Sequence, residues 1–175
     1  MRAIDRKEIE KIYKIMGMLD RESLEKSKKY IIKSISVFDH WLLEEGYCGD
    51  DKAFFYQEAL ETTNTSAAKQ YFAHHDNLLK FYLDLYNKTK IYGILSAEYG
   101  PSNVIVEYDN IKEYEAHVLL SIREQLLLKI YIPEFFTIIR GNYDLTHLLY
   151  ILKSKIKIAE VFYAIARSNS LFILD

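Results

Sequence analysis

Histidine next to carboxylate is the recurring chemical feature of this chain. Asp39 precedes His40, His74 and His75 precede Asp76, Glu113 and Glu115 lie just before His117, and Asp144 lies before His147. Imidazole and carboxylate groups gathered from facing helices are the usual ingredients of a metal site inside a helical bundle, and His75, Asp76 and His147 are the candidates for one here. Spacing argues against that chemistry. Neither a Glu-x-x-His pair nor a His-x-x-x-His pair occurs, and on helical wheels His40 and His117 fall on polar faces. A satisfied core His75 and solvated pairs elsewhere explain the pattern without a metal.

A second constellation is Arg140-Gly-Asn-Tyr-Asp-Leu-Thr-His147, an arginine and a histidine with six residues between them. Histidine transfers protons near neutral pH, and arginine stabilises charge building up on phosphorus. These eight residues resemble the Arg-x(4–6)-His signature of HEPN-type helical ribonucleases. The resemblance implies an all-helical fold and RNA cleavage across a dimer interface, with Arg140 and His147 as catalytic residues. The chain departs from the family in placing Gly141, not a polar residue, directly after the arginine. Outside this segment nothing points to catalysis. Cys48 lies in a turn with Gly46 and Gly49 and is followed by Asp50 and Asp51, which would raise its thiol pKa. No phosphate-binding glycine loop and no Gly-x-Ser-x-Gly elbow is present, and no cofactor is implied.

The elements that would position these residues read as helices. Apolar side chains recur at helical spacing over residues 5–19, and over 21–45 with Asp20 as cap and Leu24, Ile31, Ile35 and Phe38 on one line. Further helices are expected at 52–61, at 67–97, and at 110–131 behind an Asn110/Glu113 capping box. The last is expected at 145–166, where Lys153, Lys157, Glu160 and Arg167 leave only a thin polar stripe. Such a helix needs cover on nearly every side, so it should be the most buried element, with Leu148, Leu152, Ile156, Ala159 and Phe162 inside. A brief extended piece is expected at 104–106 and a turn of helix at 134–139. The fold expected is all-α, with residues 1–175 forming a single all-helical domain, a bundle of five to six helices.

Composition sets the remaining bounds. Of 175 residues half are hydrophobic and 27% charged, so a core of ordinary size can form without disulfides or structural metal. The net charge is −2 with no strongly basic stretch, which argues against a nucleic-acid partner. A single cysteine and an N-terminus without an apolar core region suggest a cytoplasmic protein, and uncharged runs are too short to span a bilayer. Fifteen tyrosines, nine phenylalanines and one tryptophan make the chain aromatic-rich, and tyrosines favour boundaries where the hydroxyl finds a partner. With apolar helix surface in surplus, the expectation is a non-enzymatic binding or regulatory protein. It would act through a protein partner, through self-association as a homodimer with Tyr150, Phe162 and Tyr163 near the contact, or through an apolar small molecule held between helices.

Overall fold

The computed structural model describes residues 1–17, 19–41, 56–62, 65–96, 103–142 and 145–175. It overturns the all-α expectation: the chain is mixed α/β, built on an eight-stranded antiparallel sheet, and is not a helical bundle. The order of elements is β1 (Arg2–Ala3), α1 (Arg6–Met16), α2 (Arg21–Lys26), β2 (Tyr30–Ser36), α3 (Tyr56–Glu61), α4 (Ser66–Lys88), β3 (Tyr92–Ser96), β4 (Asn103–Glu107), α5 (Ile111–Ile122), β5 (Lys129–Ile132), β6 (Thr137–Arg140), β7 (Thr146–Leu152), α6 (Ile156–Ser168) and β8 (Phe172–Leu174). Strands lie side by side in the order β1-β4-β3-β5-β6-β7-β2-β8. Both outermost strands are short, which limits the unpaired backbone that a sheet edge exposes.

Each long expected helix proves to be a shorter helix followed by a strand. Among the described residues, the segment expected at 21–45 holds α2 and then β2, that at 67–97 holds α4 and then β3, and that at 110–131 holds α5 and then β5; residues 42–45 and 97 lie outside them. The last segment is inverted, with Thr146–Leu152 forming β7 before a 3-10 turn, Lys153–Lys155, and α6. The piece at 134–139 is a single 3-10 turn, Pro133–Phe135, leading into β6, while the extended piece at 104–106 is strand β4 of the sheet. Cys48 and residues 52–55 of the expected helix at 52–61 lie outside the described residues.

The physical reason is that both faces of the sheet are covered. A strand buried on both sides is apolar at nearly every position, and a short run of that kind looks the same as a stretch of buried helix. On one face, Ile12 and Met16 of α1, Leu19 and Leu24 of α2 pack against Tyr30, Tyr92, Ile94, Tyr131, Ile138 and Tyr150. On the other, α3 to α6 cover Ile35, Ile130, Ile132, Ile139, Leu149 and Ile151, with Phe81, Tyr82, Tyr114 and Phe162 at the centre. Alternation along each strand sends neighbours to opposite layers, as Leu149 and Tyr150 illustrate.

Local chemistry fixes the helix starts. Asp20 Oδ1 accepts from Ser23 N at 2.9 Å, Thr65 Oγ1 from Ala68 N at 3.1 Å, and Asn110 Oδ1 from Glu113 N at 3.0 Å. Strand tyrosines tie the first layer down through their hydroxyls: Tyr30 donates to the Met16 carbonyl, Tyr92 to Glu8 at 3.1 Å and Tyr150 to Glu25 at 3.3 Å.

Candidate functional site

Arg140 and His147 come to rest on opposite faces of the sheet. In the β6/β7 ladder Arg140 stands opposite Leu148, whose side chain packs with the α1/α2 layer, so His147, one residue earlier, points the other way. His147 is fully buried against α4, with Nδ1 hydrogen-bonded to the Tyr82 hydroxyl and the two rings 5.5 Å apart. Burial lowers its pKa to about 3, so the imidazole is neutral near pH 7. The spacing that resembles a ribonuclease motif therefore brings no proton-transfer group to the arginine.

The other histidines are also apart. His75 is buried on α4, stacked on Tyr56 at 6.2 Å, with Nδ1 3.2 Å from Asp76; burial lowers its pKa. His117 bonds through Nδ1 to the Tyr108 hydroxyl at 2.6 Å, and His40 to Asp39 at 2.6 Å. Among the described residues no three histidine, cysteine or carboxylate side chains gather as a metal ion would require. Tyr150, Phe162 and Tyr163 are interior: Tyr150 lies under α2, and the other two face the core between α6 and the sheet.

What does converge on a cavity is a set of residues that motif reading does not bring together. A cleft of about 450 Å³ opens where α2, the end of β3, the α5-to-β5 connection and the β5/β6 pair meet. Its lining combines the apolar Leu24, Ile94, Leu95, Leu126 and Leu127 with the polar Asp20, Arg21, His117, Lys129 and Arg140. Apolar lining with a few convergent polar groups is the usual make-up of a small-molecule site.

The polar lining is set by sheet register. Lys129 and Arg140 are cross-strand partners in the β5/β6 ladder and lean to the same side. Lys129 Nζ donates to the Leu19 carbonyl at 2.9 Å. Burial, and then the charge of Arg140, lower its pKa. Arg140 Nη1 is buried without a hydrogen-bond partner among the described residues. Arg21 Nε is 2.6 Å from Glu25 Oε1, a contact that holds the Glu25 carboxyl below its ordinary value, and Ser23 N does the same for Asp20. Gly141 lets this arrangement close. Its nitrogen donates to the Leu128 carbonyl at 2.7 Å, and a Cβ there would stand 2.5 Å from Ser121 Oγ, the atom that accepts from Leu128 N.

Lys129 carried a signal in sequence, as a lone cation inside the run Leu126-Leu127-Leu128-Lys129-Ile130-Tyr131-Ile132. On a helical wheel it falls on the apolar line beside Val118 and Ile122; in a strand it points at the α1/α2 layer with Tyr131. The chain matches no known family model, and comparisons with curated proteins and with solved structures find no significant match. No described helix is long and apolar enough to cross a membrane.

Proposed function

We propose that this protein works by binding, and that it takes a small molecule with an apolar portion in the cleft between α2 and the β5/β6 end of the sheet. The observation that carries this reading is that Leu24, Ile94, Leu95, Leu126 and Leu127 line a cavity of about 450 Å³, a volume in the range of small-ligand sites. Leu126 and Leu127 are half-buried, lie outside any helix or strand and line the cavity, Leu126 also packing against the core. Apolar surface held partly in water is stabilised when a ligand covers it.

A thermal-shift series with medium-chain amphiphiles tests this. Ligand that binds only the folded chain raises the melting temperature by mass action, by an amount equivalent to about 2.7 kcal/mol at a hundredfold excess over Kd. The shift is expected in the wild type and should be lost in Leu127→Ser, with the unliganded melting temperature changed little. A shift that survives Leu127→Ser unchanged would move the site elsewhere.

A further inference from the structure

We infer that a second cavity, between α1 and the turn joining β5 to β6, is a binding site for an organic ammonium, an alkyl or aryl-alkyl amine in its protonated form. This site is separate from the α2 cleft and does not depend on it. The cavity measures about 340 Å³, within the range of small-ligand sites. Ile12 and Ile15 of α1 line it together with Pro133 and Phe136, and Glu8, Lys11, Tyr131 and Glu134 supply its polar groups. Phe136 holds a left-handed backbone (φ 48°, ψ 44°) that bulky residues rarely adopt, a strain of the kind that gathers at binding sites.

The Tyr131 hydroxyl is what points to a ligand. Four strand tyrosines, Tyr30, Tyr92, Tyr131 and Tyr150, lie in the layer covered by α1 and α2. Three of them donate to the Met16 carbonyl, to Glu8 and to Glu25. Tyr131 is only 2% exposed and lines the cavity, yet its hydroxyl has no hydrogen-bond partner among the described residues, where a buried tyrosine normally finds one. Its ring lies nearly parallel to that of its cross-strand partner Tyr92, 6.4 Å away, so both hydroxyls are directed toward α1, where Tyr92 meets Glu8. Burial first, with the charges of Glu134 and Glu8 among the lesser causes, pushes the Tyr131 pKa up to about 12, so the group is a neutral hydroxyl. Glu8 Oε1 accepts from Tyr92, and Glu134 Oε1 from Lys90 N at 3.1 Å, which leaves the second oxygen of each carboxylate without a hydrogen bond among the described residues. An ammonium carries three donors and no acceptor, which suits a phenol oxygen between two carboxylates; an anion would be repelled by the same pair. The nearby cations leave room for it. Lys11 is exposed at the rim, the Lys155 ammonium stands over the Phe136 ring without lining the cavity, and Lys90 Nζ is 3.2 Å from Glu107. Ile12, Ile15 and Phe136 then take the apolar body of the amine.

The experiment is calorimetric titration of the full chain at neutral pH with phenethylamine, phenethyl alcohol and hydrocinnamate, which share an aryl body and differ in charge. The amine is expected to bind at least about tenfold more tightly than the alcohol, and the carboxylate more weakly than either. Tyr131→Phe removes only the unpartnered hydroxyl and should weaken amine binding at least about threefold. Glu134→Gln, which keeps an acceptor for Lys90 N, should bring the amine within about threefold of the alcohol. Leu127→Ser, in the other cleft, should leave amine binding unchanged. Equal binding of amine and alcohol, or no binding of the amine, overturns the proposal. So does amine binding that ignores Tyr131→Phe, or that is lost in Leu127→Ser. Should a variant fail to fold, the ranking of the three probes on the wild type decides alone.

Discussion

His147 has all of its surface removed from water and has only a tyrosine hydroxyl to bond with, which makes it a stability element sensitive to acid. Its folded pKa of about 3 lies below the ordinary 6.5, so between those values the unfolded chain binds the extra proton. Stability from this group is complete above pH 6.5 and is lost progressively as pH falls toward 3, with a limiting slope of about 1.4 kcal/mol per pH unit. Urea titrations of the wild type and of His147→Asn at several pH values measure it. Asparagine can still accept from Tyr82 but does not titrate, so the variant should show a shallower decline below pH 6.5. An identical slope in both proteins would place the acid sensitivity on other groups. The same residue illustrates what single-residue chemistry misses: a histidine paired in sequence with Arg140 is paired in space with Tyr82, because strand alternation, not sequence distance, decides which layer a side chain enters.

At the scale of elements, β7 is the clearest case of a strand that sequence periodicity reads as helix. Its residues Thr-His-Leu-Leu-Tyr-Ile-Leu include three leucines, which favour helices, and none of its polar residues marks an exposed face. The strand β2 was more legible: Tyr-Ile-Ile-Lys-Ser-Ile-Ser is rich in β-branched side chains, and the helical line through Leu24, Ile31 and Ile35 is a coincidence of spacing. Helix starts were readable at Asp20 and Asn110 because a cap is a local hydrogen bond, whereas helix ends were hidden by apolar strands that follow within a few residues. The strand reading separates two neighbours on β7. Leu149, fully buried under α4 and α6, should lose about 2–5 kcal/mol on truncation to alanine, and half-buried Leu152, on the α2 side, distinctly less. Denaturant unfolding of Leu149→Ala and Leu152→Ala checks this; a larger loss at Leu152 would restore the helical reading of the segment.

For the whole molecule, the two-sided sheet changes where function is sought. Many apolar positions that, in a bundle, seemed to require a covering partner are covered by helices on both faces, and Tyr150, Phe162 and Tyr163 lie in the core, while Leu120, Ile158 and Val161 remain exposed. Leu126 and Leu127 stay half-buried beside Lys129 and Arg140, and the cleft they line also takes residues from α2, β3 and α5, farther away in sequence. No spacing motif could have announced that set, since sheet register creates it. The most direct measurement is a methyl-resolved NMR titration of the leucine- and isoleucine-labelled protein with octanoate. The account predicts saturable shifts at Leu24, Ile94, Leu95, Leu126 and Leu127, and none at the solvent-facing Ile158 of α6. Shifts confined to the α6 surface, or none at the cleft at saturating concentration, would contradict it.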